Sequence, residues 1–136
     1  MPHPHLIWLR SAATVLISCV IAQAGWASAY LGGEPGYLDQ HRVGAWVTLG
    51  VAWLAVVVYL VLRRSAGPVN VALALAVAVL VTVQFTLGRL GGDLRALHIF
   101  VGVLLAVLVT ALTSWTYRHR LPEEVAGSSS SSPRSV

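Results

Sequence analysis

Charge is scarce in this sequence. Only 10% of its 136 residues are Asp, Glu, Lys or Arg, where a soluble domain carries about 25%. Lysine is absent altogether, so all nine basic residues are arginines. Cysteine occurs once, as Cys19, which excludes intrachain disulfides and cysteine metal clusters. Alternation of polar and apolar residues is also missing from runs such as residues 69–83, so the strands of a membrane β-barrel are excluded. What remains is apolar: 57% of the chain is hydrophobic and its mean hydropathy is +0.75.

A bilayer core about 30 Å thick needs roughly 20 apolar residues per helical span. Four such stretches fit, at about 11–31, 43–62, 68–88 and 97–117. Backbone groups in lipid must bond internally, so the stretches are helices. The fold class is therefore all-α, an integral membrane four-helix up-down bundle. It occupies residues 1–121 as a single domain. The remainder, 122–136, holds a five-serine run and no apolar face; it reads as a disordered cytoplasmic tail. Ala27-Ser28-Ala29 and Leu16-Ile17-Ser18-Cys19 resemble processing sites, but the apolar stretch is long and continues past Cys19, so it reads as a retained first span.

Orientation follows from the arginines. Arg10, Arg63, Arg64, Arg118 and Arg120 fall on one side, and Arg42, Arg89 and Arg95 on the other, diluted there by Glu34, Asp39 and Asp93. The first side is the cytoplasm, and it holds both termini. The expected location is a bacterial inner membrane, with the lipid bilayer as partner. A pI near 10.0 signals nucleic acid in a soluble protein; here the arginines mark topology, and no nucleic-acid partner is expected.

The two hairpins repeat a pattern. Gln23, Leu31-Gly32-Gly33-Glu34, His41 and Gly44 recur in order as Gln84, Leu90-Gly91-Gly92-Asp93, His98 and Gly102. Both hairpins enter from the cytoplasm, so a duplication here has parallel topology, with a pseudo-two-fold axis along the membrane normal.

His41 and His98 open the second and fourth spans at similar depth. Those helices are diagonal neighbours in an up-down bundle. Two imidazoles approaching from opposite sides suit a planar metal macrocycle, and bis-histidine haem, most simply haem b, is the candidate. Zinc would want about four ligands, which the spacing does not supply. Gly44 and Gly102 lie one turn below the histidines, where a missing side chain lets a flat ring come close. Thr48, Ala52, Ala55, Leu105, Ala106 and Val109 continue the lining inward. Arg42, Arg89 and Arg95 sit where propionates would emerge, and arginine forks pair with carboxylates. Gln84, with Gln23 in the matching place, is a hydrogen-bonding candidate inside the spans. The competing reading is that these are packing residues: interfacial histidines keep their tips in water, and glycines allow close helix contact. His3, His5 and His119 read as solvated flanks.

At Leu38-Asp39-Gln40-His41-Arg42, and at Gln84-Phe85-Thr86-Leu87-Gly88 leading to Leu97-His98, the chain resembles one four-helix half of heme A synthase. The resemblance spans roughly residues 10–118. It implies histidine-bound haem in the outer half of the membrane, with His41 and His98 as ligands. The family has a glutamate three residues before the first histidine, where this chain has Leu38. The chain is also similar to short bacterial four-span membrane proteins with histidines at these two places. Three functions are in contention. They are a small haem protein for electron transfer or haem handling, a half-length heme A synthase-like oxidase, and a haem-free accessory subunit of a membrane complex. Quinone, or a larger respiratory or haem-handling complex, is the partner class the haem readings imply.

Overall fold

The computed structural model describes residues 4–119. Four long helices dominate it: α1 (Pro4–Leu31), α2 (Tyr37–Val61), α3 (Arg63–Leu90) and α4 (Arg95–Arg118), with one 3-10 turn, Gly92–Leu94, leading into α4. All are long and apolar enough to cross a membrane, and no strand occurs among the described residues. The fold is the expected all-α four-helix bundle of a multi-pass membrane protein. The tail from 122 onward, with Arg120 and His3, lies outside the described residues.

Two helices begin earlier than the hydropathy suggests. In α1, Leu6 and Leu9 are buried and continue the inward stripe, so tertiary packing carries the helix back to Pro4. In α2, the polar turn from Tyr37 carries Asp39, and an acid in a first turn complements the helix dipole. Pro68 does open the straight part of α3. The preceding Gly67 has φ +77° and breaks the helix path there, a conformation that favours glycine.

The core follows from spacing. Buried residues recur at intervals of three and four, as Leu6, Leu9, Ala13, Leu16 and Val20 on α1 and Ala66, Asn70, Ala74, Val77 and Val81 on α3. The seams of α2 and α4 are Gly44, Thr48, Ala52, Ala55 and Tyr59, and Val101, Leu105, Val109, Leu112 and Thr116. That interval is the seam of helices packed knobs-into-holes at a shallow angle. Lipid is as apolar as the core, so close packing rather than exclusion of water holds the helices together. Small residues such as Ala13, Ala52, Ala66 and Ala74, each at most 1% exposed, permit the close approach. The outward faces carry Trp8, Ile21, Val43, Leu54 and Val107, all exposed, and this is the lipid-contacting surface.

Each helix packs on its two neighbours. Across the core, α1 and α3 also approach, while α2 and α4 make no close backbone contact among the described residues. The cross-section has a short diagonal and a long one. The histidines stand on the long one.

Candidate functional site

At the end of the bundle that carries the α1–α2 and α3–α4 turns, the outer end in the expected orientation, each seam finishes in a polar side chain: Gln23 on α1, His41 on α2, Gln84 on α3 and His98 on α4. All four are partly buried. His41 and His98 reach toward each other over the long diagonal, with ring centroids 6.2 Å apart and ring planes at 89°.

Each imidazole is oriented by its own hairpin. Nδ1 of His41 lies 3.1 Å from the backbone carbonyl of Gln23, and Nδ1 of His98 lies 3.1 Å from that of Gln84. A carbonyl oxygen can only accept, so Nδ1 carries the proton in both rings, and both Nε2 atoms keep a lone pair. Metal-binding histidines are commonly held in this way, with the second nitrogen donating to a carbonyl. Both hairpins contain the same contact, glutamine carbonyl to histidine Nδ1. The partners are 18 residues apart in the first hairpin and 14 in the second.

The glutamine side chains fill the notches at the glycines. A Cβ on Gly44 would overlap the Gln23 amide and the Trp26 ring, and one on Gly102 would stand 3.0 Å from Nε2 of Gln84. The space assigned to a flat ring is thus taken by amides. Gln84 also places Nε2 3.4 Å from Nε2 of His98. Two amide atoms, Nε2 of Gln23 and Oε1 of Gln84, are buried without a partner, an arrangement that costs about 1–3 kcal/mol per group.

Arg42, Arg89 and Arg95 are exposed at this end of the bundle. Arg42 lies 3.6 Å from Asp39 on the surface; it does not turn toward the histidines. Of the expected lining, Thr48, Ala52, Ala55, Leu105 and Val109 are buried, but Ala106 is exposed, and Val101 takes the inward place instead. Ala106 stands eight residues after His98, too far round the helix to share its face. No group of three or more His, Cys, Asp or Glu able to hold a metal ion occurs among the described residues. A groove of about 730 Å³ opens on the α1–α2 face, lined by Thr14, Cys19, Trp26, Gly44 and Thr48 among others, and it includes neither histidine.

The other end, inner in that orientation, holds buried polar residues, and Tyr59, expected in an interfacial aromatic belt with Trp8, Trp115 and Tyr117, points into the core instead. Tyr59, Asn70 and Thr116 are each at most 1% exposed. The Tyr59 hydroxyl lies 2.7 Å from Oγ1 of Thr116 and 3.2 Å from the carbonyl of Leu9, and its single proton serves one of the two at a time. Thr116 donates to Oδ1 of Asn70 at 3.1 Å, and Nδ2 of Asn70 donates to the Ala66 carbonyl at 2.8 Å. This chain touches all four helices. Asn70 interrupting an apolar run was the signal for it. His119 is likewise no solvated flank: it is half-buried, donates to the Ser65 carbonyl at 2.9 Å and lies over Gly67. His5 is exposed, with Nδ1 2.8 Å from Oγ of the same serine.

No protein-family profile, no curated protein and no solved structure matches the chain.

Proposed function

We propose that His41 and His98 ligate one haem, most simply haem b, at the outer end of the bundle. The chain is then a small bis-histidine, cytochrome-like membrane protein for electron transfer or haem handling. One observation carries the reading: both Nδ1–H groups are committed to backbone carbonyls, which leaves two Nε2 lone pairs on facing helices. The ring centroids stand 6.2 Å apart, and His41 and His98 would be the residues that hold the iron, each through its Nε2. Room for the macrocycle requires the Gln23 and Gln84 amides to swing off Gly44 and Gly102, and both are flexible side chains. Haem, when bound, supplies a reversible one-electron couple. The protein's part is to hold two neutral imidazoles in a fixed tautomer and to exclude water with apolar seams below them.

The oxidase alternative draws nothing further from the site. Leu38 occupies the place of the family's glutamate, and the adjacent Asp39 is exposed and paired with Arg42. The accessory-subunit alternative rests on one observation, that amides already fill both glycine notches. A reduced-minus-oxidised spectrum of the purified protein separates the two haem readings from the accessory role, and identification of the extracted haem after expression with its substrate separates the cytochrome-like reading from the oxidase. The expected result is a low-spin haem signal that His41→Ala or His98→Ala each abolishes and that His119→Ala leaves intact. Protein that takes up no haem makes the accessory role the better reading.

The proposed membrane is a bacterial inner membrane, with both termini cytoplasmic. Arg10, Arg63, Arg64 and Arg118 collect at one end of the bundle, undiluted by acids among the described residues, as cytoplasmic ends do. Single cysteines at Gly36 and Ser65, in a Cys19-free background, should label from opposite sides of intact cells. Labelling of both from one side would refute the orientation.

A further inference from the structure

The two half-sites share a backbone design but differ in what their glutamine side chains do. In the second hairpin, Nε2 of Gln84 points at the lone pair of His98 across 3.4 Å. In the first, Nε2 of Gln23 is buried without a partner, pressed between Gly44 and Trp26, and makes no hydrogen bond to His41. Sequence explains the divergence. Three residues after Gln23 stands Trp26, whose ring closes on Gly44 beside the amide; three residues after Gln84 stands Leu87. No ring crowds Gly102, where only the Gln84 amide comes near. The His98 ring also lies against α3, with Cε1 3.0 Å from where a Cβ on Gly88 would be, which keeps it within reach of Gln84.

We infer that Gln84 shields Nε2 of His98 in the cofactor-free protein, so that His41 offers the first free nitrogen to an incoming metal centre and Gln84 governs the second. The purpose of this arrangement rests on the haem reading above; its geometry does not. Because Nδ1 of His98 donates to a carbonyl, its Nε2 is an acceptor, and an amide N–H is the complementary donor. Ligation at His98 must break that hydrogen bond, whereas ligation at His41 breaks none. Gln84 is a positioning residue: it sets the order in which the two imidazoles become available.

The shielding can be read without haem. Diethyl pyrocarbonate acylates neutral imidazole at a free nitrogen, and mass spectrometry reports His41 and His98 in separate peptides. In cofactor-free protein in detergent, His98 should react about threefold more slowly than His41, the lower part of the range a net hydrogen bond supports and appropriate to a long one. Gln84→Leu should bring the two rates together. Gln23→Leu perturbs the packing against a glycine in the same way and should leave the ratio unchanged. If Gln84→Leu fails to fold, the imidazole ¹⁵N spectrum of the wild-type protein decides: the Nε2 of His98 should be shifted in the hydrogen-bonded direction relative to that of His41. Equal reactivity, or coincident Nε2 resonances, overturns the inference. Unequal reactivity in a protein that shows no Soret change on hemin addition overturns the haem reading and upholds the shielding.

Discussion

The two ends of the bundle use polar residues in opposite ways. At the inner end, contacts among Tyr59, Thr116 and Asn70 reach all four helices and finish at the carbonyls of Leu9 and Ala66, with Nε of Arg10 the unpaired atom nearby. At the outer end, two imidazoles and two amides meet over the long diagonal and leave two buried atoms unpaired. A satisfied buried network rigidifies, while a partly satisfied one is a local weakness. The difference sets a cross-linked end against one with hydrogen-bonding capacity left over, the end at which the proposed ligand would sit.

The largest effects should fall at the inner end. Tyr59→Ala removes a fully buried ring and one of the two hydroxyl contacts of Thr116; a loss of about 3–5 kcal/mol is expected, read as a lowered unfolding midpoint in detergent. His41→Ala in cofactor-free protein should cost no more than about 1 kcal/mol, because it removes one hydrogen bond of a partly buried side chain. Equal losses would break the contrast between the ends.

A smaller effect should separate the two hairpins. Gly44→Ala places a methyl group into the Gln23 amide and the rigid Trp26 ring, and about 1–3 kcal/mol is expected for such overpacking. Gly102→Ala meets only the flexible end of Gln84 and should be several-fold milder in the same assay. Identical penalties would mean that Trp26 is not what distinguishes the hairpins. Smallest of all, Arg42→Ala removes an exposed ion pair with Asp39. Such pairs contribute about 0–1 kcal/mol, so the unfolding midpoint should barely move.

Much of the fold was legible from the sequence, because lipid allows few solutions. Long apolar runs between arginines could only be helices, and alternation of arginine-rich ends arranged them up and down. The histidine pair was legible because both residues open an even-numbered span. The helix starts were less so: Leu6 and Leu9 belong to α1 because of what they pack against, and hydropathy does not see packing. The partners of the histidines were hidden for a different reason. His41 and His98 bond to the backbone carbonyls of Gln23 and Gln84, and a carbonyl leaves no mark on residue identity. The glutamine side chains, which drew notice in the sequence, fill notches instead. Asn70 and Thr116 were visible as letters, but only the register of α3 against α4 brings them together.

The carbonyl-to-imidazole bond always stays within one hairpin, α1 to α2 or α3 to α4, and only the gap between the two rings is bridged from outside. Each hairpin is therefore a finished half-socket, and the whole socket is a property of the joint between halves. A single hairpin meeting its own copy about a two-fold axis would present the same two imidazoles, so linkage through the tight turn at Leu62 is a convenience of assembly and not a requirement of the proposed ligation. What the linkage adds is independence: once the halves share a chain, Trp26 and Leu87 can differ, and a symmetric pair becomes a left and a right.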